Sequence, residues 1–560
     1  MRQHPAKLKT SPDPAAAAPA HPDVLQDFRW AALAAAAIVA LSCAPYLFGW
    51  LLRPSDYMWH VYNADDANVH LSWMRQAAEG RWLFTDRFTS EPQQPQFTHL
   101  LFLLLGKIAG IFGGSYHALI AVYHLARVVS AWVLLVLVYV LAGCIYPDRE
   151  TRRLALLAVG LSSGVGWWLR GLLGVSDGPG GGALAELLRT LPVWPEATTF
   201  LSLYIYPLFT VSLALLVGAY LLLLRAFETG SVKTAAGAGI LALLLGQIHS
   251  YDIIPFYGVL AVAVAALGIA RRAVPWREAG LAAVVVALSL PAPLYQYLVF
   301  HANPVFRQKA LIPTPTPAPA HYLLTYGFVL LLAIAGAARL RRGGHRHAGF
   351  LVVWAVVTLA ATYLPFSFQR KMVEGAHIPL AILAASAWAA LGRRWGVPSA
   401  AWAAALVLLT IPSNLGIMAN SAHRLVDNNA IGVAQQLPPY YLDEGERGAL
   451  DRLKEAGRPE DVVLCFPVVG NYMPPYCGVT AYASHWAETI NLGTKWRQVH
   501  EFLQSYVSDN WRRDFLRDQR IRFVFIGHVE RALGNFDPAR AHYLKPLFTS
   551  ESASLYEVVP

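Results

Sequence analysis

The stretch Asn63-Ala64-Asp65-Asp66-Ala67-Asn68-Val69-His70 places two adjacent carboxylates a few residues beyond an apolar run that ends near Leu52. Such a pair supports two kinds of chemistry. One acid can take a proton from a hydroxyl within hydrogen-bond reach while the other orients the reactants. Alternatively both can be oxygen ligands to a divalent cation, which needs further oxygens. A purely structural role is equally available. Asn63 is a good helix N-cap, Asp66 stands three positions on, where an acid reaches back to the cap amide, and first-turn acids favour the helix dipole by about 0.3–1 kcal/mol each. The helix so begun is expected to run to about Glu79 and stop at Gly80.

The elements that must hold this pair are membrane helices. Hydrophobic residues make up 56% of the 560 and charged residues only 14%, too little charge to solvate a globular chain of this size. The net charge of +10 is gathered in short basic clusters between apolar runs, a pattern of membrane topology and not of nucleic-acid binding. Runs long enough to cross the hydrocarbon layer fall at about 29–52, 117–143, 153–171, 198–225, 232–250, 252–270, 279–300, 321–339, 349–366, 377–392 and 398–418, about eleven spans. The clusters at 148–153, 225–233, 271–278, 339–347 and 392–396 mark the cytoplasmic side. Residues 53–116, 172–197, 301–320 and 366–377 then lie outside. Leu100 to Phe112 is short, contains Lys107 and suits an interfacial helix.

Residues 1–28 read as a disordered, basic, Pro/Ala-rich cytoplasmic tail, and the first span as retained, not cleaved. After about residue 418 charges become frequent. Segments 461–469 and 522–529 read as strands, 444–457 and 494–520 as helices. The expected fold class is thus mainly α: a polytopic bundle over 29–418, N-terminus in and C-terminus out, followed by an extracytoplasmic α/β domain over 419–560. An acid at the mouth of such a bundle is costly unless hydrated, paired or used, which makes function the default reading there.

A first membrane helix, an acidic pair (Asp65, Asp66) at the start of an outer helix ending in Gly80, a Pro-containing loop and a short amphipathic helix from Phe97 to Phe112 together resemble the GT-C glycosyltransferases. Within them the chain is similar to the dolichyl-phosphate-mannose mannosyltransferase-like bacterial proteins. The resemblance covers roughly 29–418 and is strongest over 60–145. The usual pair in several such families is Asp-Glu, where this chain has Asp-Asp. The resemblance implies a sugar moved from a polyprenyl-phosphate donor to an acceptor hydroxyl on a glycan, lipid or protein, at the cell membrane. Asp65 would be general base and Asp66 its orienting partner. A cation (Mg or Mn) held by Asp65, Asp66 and Glu91, as in the oligosaccharyltransferase branch, is the alternative.

Such a donor needs a cationic group at its phosphate. Arg370 offers a bidentate contact and Lys371 a point charge, on a side where basic pairs are unusual; a headgroup anchor or an Arg370–Glu374 helical pair explains them equally simply. Arg307 and Lys309 are second phosphate contacts to consider. His249, Tyr251 and Asp252, in QIHSYD at 247–252, line the donor or acceptor cavity or merely make a polar hairpin. His485 and Glu488, beside Tyr482 and Trp486, contact sugar or acceptor or cap a packed loop. Cys465 and Cys477 share the C-terminal polar region, where the sequence leaves open whether they form a disulfide, and the four cysteines have no metal-ligand spacing. No phosphate-binding Gly loop or zinc-protease helix is present. A transporter or flippase of lipid-linked sugars is the competing class, although charges crowd at span ends and leave span centres clean. A membrane anchor displaying a binding module needs far fewer spans.

Overall fold

The computed structural model describes residues 27–175, 182, 185, 187, 188, 194–343, 347–428 and 438–560. The expected disordered tail therefore lies outside the described residues, except for its last two, as does much of segment 172–197. Each of the eleven expected ranges contains a helix. Among the described residues seven helices are long and apolar enough to cross a membrane: Phe28–Leu52, Tyr116–Ile145, Pro207–Thr229, Ser250–Arg271, Trp276–Ala302, Pro319–Arg339 and Gln369–Trp395. The pair Ser399–Thr410 and Pro412–Asp427 makes an eighth, bent by 53° where Pro412 cannot continue the backbone ladder. The chain is a multi-pass membrane protein.

Three ranges hold shorter helices, Arg149–Leu161, Val232–Ile248 and Ala348–Ala361. At 1.5 Å per residue none reaches about 30 Å alone. The first stops for a local reason. Ser163 bonds the Thr410 carbonyl, Val165 bonds the Leu324 carbonyl, and a side chain at Gly164 would lie 2.3 Å from the Leu324 and Thr325 oxygens. The chain leaves its helix to dock on the backbone of a neighbour.

The basic clusters pair with acids near the helix ends beside them. Buried Asp27 binds Arg149 and Arg153, Arg393 binds Asp148 and Glu150, and Glu228 binds His347. Segment 53–116 instead packs against the C-terminal region. Its helix Ala64–Ala78 lies on Leu100–Ile111 so closely that a side chain at Gly106 would sit 2.2 Å from the Met74 carbonyl oxygen. Arg75 donates to the Tyr476 carbonyl, Arg87 to that of Gly478, and Thr89 bridges Ala483.

The C-terminal sheet has five strands, β1 Val462–Leu464, β2 Thr480–Ala481, β3 Ile521–Ile526, β4 Leu544–Thr549 and β5 Ser554–Val558, in the order β2-β1-β3-β5-β4. β1 is parallel to β2 and β3, while β3–β5 and β5–β4 are antiparallel. The change of character placed at residue 418 falls inside helix Pro412–Asp427. The single helix expected over 494–520 is two, Leu492–Phe502 and Asp509–Asp518, because Ser508 caps the second through its oxygen on the Trp511 N–H. The cysteines are free, which decides the open question of a Cys465–Cys477 disulfide against it: Cys465 bonds Val463 and Ala483 carbonyls, Cys477 that of Leu450.

Candidate functional site

Helix Ala64–Ala78 does not start as a capping box. Asn63 is in the left-handed region (φ 44°, ψ 54°), its side chain makes no cap bond, and Gly80 ends the segment at φ +98°. The two acids are free for other partners. Asp65 is 6% exposed and the Asp66 side chain 38%. Both face His485, whose Nε2 stands 3.4 Å from Asp66 Oδ1 and 3.7 Å from Asp65 Oδ2. The loop carrying His485 is tied down by Thr489: its hydroxyl accepts from the Ser484 and His485 N–H groups and donates to the Phe88 carbonyl at 2.7 Å.

The His485 ring has its tautomer set by the backbone. Nδ1 accepts from the N–H groups of Ala487 and Glu488, both at 3.1 Å. The ring proton therefore sits on Nε2, aimed at the carboxylates. Burial opposes a charged imidazole, while the bond to Asp66 and the two carboxylate charges draw its pKa above the ordinary value. A second proton would have to enter at Nδ1, where two fixed N–H groups already point. The pair itself is split. Burial and the Asp66 charge push Asp65 up to about 6. Burial also opposes Asp66 ionisation, but the His485 hydrogen bond and charge, with Lys371 behind them, hold it below the usual carboxylate range. Nearby His70 is pushed down to about 4 by burial and its Nδ1 meets the Tyr123 hydroxyl at 2.9 Å.

Among the described residues two groups of side chains have donor atoms close enough to hold a cation, Asp65–Asp66–His485 and His249–Asp252–Glu374. The first fits poorly through its histidine. A ligating imidazole donates its other N–H outward, and His485 Nδ1 instead receives two. Only Asp65 and Asp66 would remain as protein ligands. Glu91 is not brought to them: it accepts from Lys495 at 2.9 Å and from the Thr89 hydroxyl.

Glu488 is close by but otherwise engaged. Lys309 forms ion pairs with Glu488 and, at 3.2 Å, with Asp86, and lies over the Trp73 ring. Burial pushes Asp86 up to about 7 even against the lysine. Arg370 and Lys371 are separated by their partners. Arg370 is 3.7 Å from Glu196; Lys371 lies over the Tyr251 ring and reaches its hydroxyl at 3.5 Å. The helical pair Arg370–Glu374 does not form. Glu374 turns instead toward His249, 3.1 Å from its Nδ1, beside Asp252 at 3.0 Å. Glu374, Lys309 and Asp86 are the site residues that sequence reasoning left out of its core set. Their signal was charge in segments assigned to one side, with no local spacing to connect them.

No family model and no curated protein matches the chain. Solved structures similar to it include ArnT from Cupriavidus metallidurans bound to undecaprenyl phosphate, at 13% identity over 93% of this chain and 97% of that one, with a TM-score of 0.49. The Archaeoglobus fulgidus oligosaccharyltransferase in complex with Zn and sulfate matches at 13% identity, 93% and 74% coverage and a TM-score of 0.46. The A. fulgidus oligosaccharyltransferase AglB with an inhibitory peptide and a dolichol-phosphate matches at 13% identity, 91% and 72% coverage and 0.43. At that distance residue roles do not pass from those proteins to this chain.

Proposed function

We propose that this protein is a membrane glycosyltransferase of the GT-C type that moves a sugar from a polyprenyl-phosphate donor to an acceptor hydroxyl on the extracytoplasmic side. The observation that carries the reading is Asp65: a buried carboxylate with its pKa pushed up to about 6, beside an ionised Asp66 and a fixed imidazole donor. A base of that strength is ionised at neutral pH yet still takes a proton readily. His485 Nε2–H steadies the negative pair and leaves Asp65 as the acid with the higher proton affinity. As the acceptor hydroxyl attacks the sugar C1, Asp65 takes its proton and the bond from C1 to the phosphate oxygen breaks. The leaving phosphate carries the added charge, and Lys371, whose field already reaches Asp66, is the cation to receive it, with Arg370 next to it in the chain. No step requires a metal at Asp65 and Asp66. A C-terminal region on the outer side fits the pairing of segment 53–116 with it and the basic clusters near other helix ends.

The test is transfer of label from a panel of radiolabelled polyprenyl-phosphate sugars by the purified full chain in lipid, comparing wild type with Asp65→Asn. Transfer by wild type that is lost in the variant supports the reading. Equal transfer by both overturns Asp65 as base, and no donor binding at all favours a transporter.

A further inference from the structure

His249, Asp252 and Glu374 form a second cluster that the proposed transfer reaction does not use. His249 Nδ1 points between Asp252 Oδ2 at 3.0 Å and Glu374 Oε2 at 3.1 Å, and the three donor atoms lie within 4.8 Å of one another. Asp252 and Glu374 are each 1% exposed and His249 is 6% exposed. His249 Nδ1, both Asp252 carboxylate oxygens and Glu374 Oε2 have no hydrogen-bond partner. Among the described residues no lysine or arginine pairs with either acid: Lys371 turns to the Tyr251 hydroxyl and Arg370 to Glu196. Two carboxylates buried together without a cation are costly, because neither water nor a counter-charge replaces their hydration.

The remaining carboxylate oxygen is anchored. Glu374 Oε1 accepts from the Ser212 hydroxyl at 3.0 Å, so Oε2 is fixed toward His249. His249 Nδ1, like His485 Nε2, has no partner other than the acids it faces, and it lies closer to both of them, at 3.0 and 3.1 Å against 3.4 and 3.7 Å. A tetrahedral ion with ligand bonds of about 2.1 Å holds its donors about 3.4 Å apart, so the two spacings from His249 Nδ1, 3.0 and 3.1 Å, need open by only a few tenths of an ångström. One imidazole and two carboxylates suit a borderline first-row ion, not calcium, which takes six to eight oxygens.

We propose that His249, Asp252 and Glu374 bind one divalent cation of the zinc and cobalt class, at a site separate from Asp65 and Asp66. The rings of Phe209, Tyr206 and His70 stand in succession between His249 and the helix bearing the acidic pair. The ion neutralises the two acids and locks three segments together: the turn before Ile253–Arg271, the stretch before His377–Trp395, and, through Ser212, helix Pro207–Thr229.

The test is titration of the chelator-stripped full chain, in detergent or nanodiscs, with Co²⁺, followed by visible absorption and by metal analysis after desalting. One equivalent is expected in wild type and in Asp65→Asn, with at least tenfold weaker binding in Asp252→Asn and in Glu374→Gln. Wild-type protein that takes up no cobalt overturns the proposal however the variants fold. So does uptake unchanged in both Asp252→Asn and Glu374→Gln, or uptake lost in Asp65→Asn, which would move the ion to the acidic pair. Because the readout is bound metal, failure of the transfer reading leaves this result independent.

Discussion

The molecule contains two clusters of one histidine and two acids, and they differ in which way the imidazole is wired. At Asp65–Asp66, backbone N–H groups occupy His485 Nδ1 and turn Nε2 into a donor toward the pair. At Asp252–Glu374 the nitrogen facing the acids is Nδ1, 3.0 and 3.1 Å from them. At the first cluster the Asp66 side chain is 38% exposed. At the second all three residues are buried, and among the described residues no lysine or arginine pairs with either acid. A third pair of buried acids, Asp86 and Glu488, shows what the fold does with a lysine to hand: Lys309 sits between them. Composition is nearly the same in the first two cases, and burial and the ring nitrogen presented to the acids separate them.

The largest effect that sharpens this contrast is at Asp65. Asp65→Asn is expected to lower transfer by about 100- to 10,000-fold while cobalt uptake persists, read by initial rates on labelled donor. The same variant is expected to raise the thermal midpoint at pH 7. An acid whose folded pKa lies near 6, above its unfolded value, favours the fold when protonated, and that contribution is lost as pH rises through about 6. A lower midpoint at pH 7 would mean that the ionised Asp65 is paired more strongly than its surroundings indicate.

Next in size is Lys309→Met, which leaves Asp86 and Glu488 buried without their cation. The expected loss is about 3–5 kcal/mol of stability, measured by thermal or denaturant unfolding in detergent and relieved in part at low pH. No such loss would show that water already solvates that trio. The pH profile of kcat/KM comes third. Activity should rise with pH through about 6 as Asp65 loses its proton, and Asp66→Asn should move that limb to lower pH by removing the neighbouring negative charge. His485→Ala should move it upward, since both acids lose their donor. Identical limbs in all three proteins would place the base elsewhere. The smallest effect is expected for Ser212→Ala, about tenfold weaker cobalt binding through loss of the bond that orients Glu374, with transfer chemistry at Asp65 unaltered in its pH limb.

Local patterns carried a good part of the architecture. Long apolar runs specify helices and membrane residence because every backbone group must be satisfied within the segment, and the helix ending at Gly80 follows from a glycine that adopts positive φ. The run 461–469 contains β1, and 522–529 overlaps β3, which starts one residue earlier. The hairpin of β4 and β5 was not legible: its Lys-Pro-Leu-Phe segment lacks clean alternation, and its pairing is decided by β3 alongside. The acids Asp65 and Asp66 stood out by adjacency and position, and the capping reading of them yielded to the structure because Asn63 enters the helix with a left-handed backbone.

What the sequence determined by itself is short-range: which segments are helical, which belong to the membrane, and where two carboxylates are set side by side. Only the tertiary structure decided that His485 meets those carboxylates from the other end of the chain, that Glu374 leaves Arg370 for His249, and that Glu91 belongs to Lys495. The reason is physical. Helical and strand periods are fixed by neighbouring residues along the backbone, whereas the partner of a buried charge is whichever group the packing of separate helices and loops carries to within a few ångströms, and no local spacing encodes that distance.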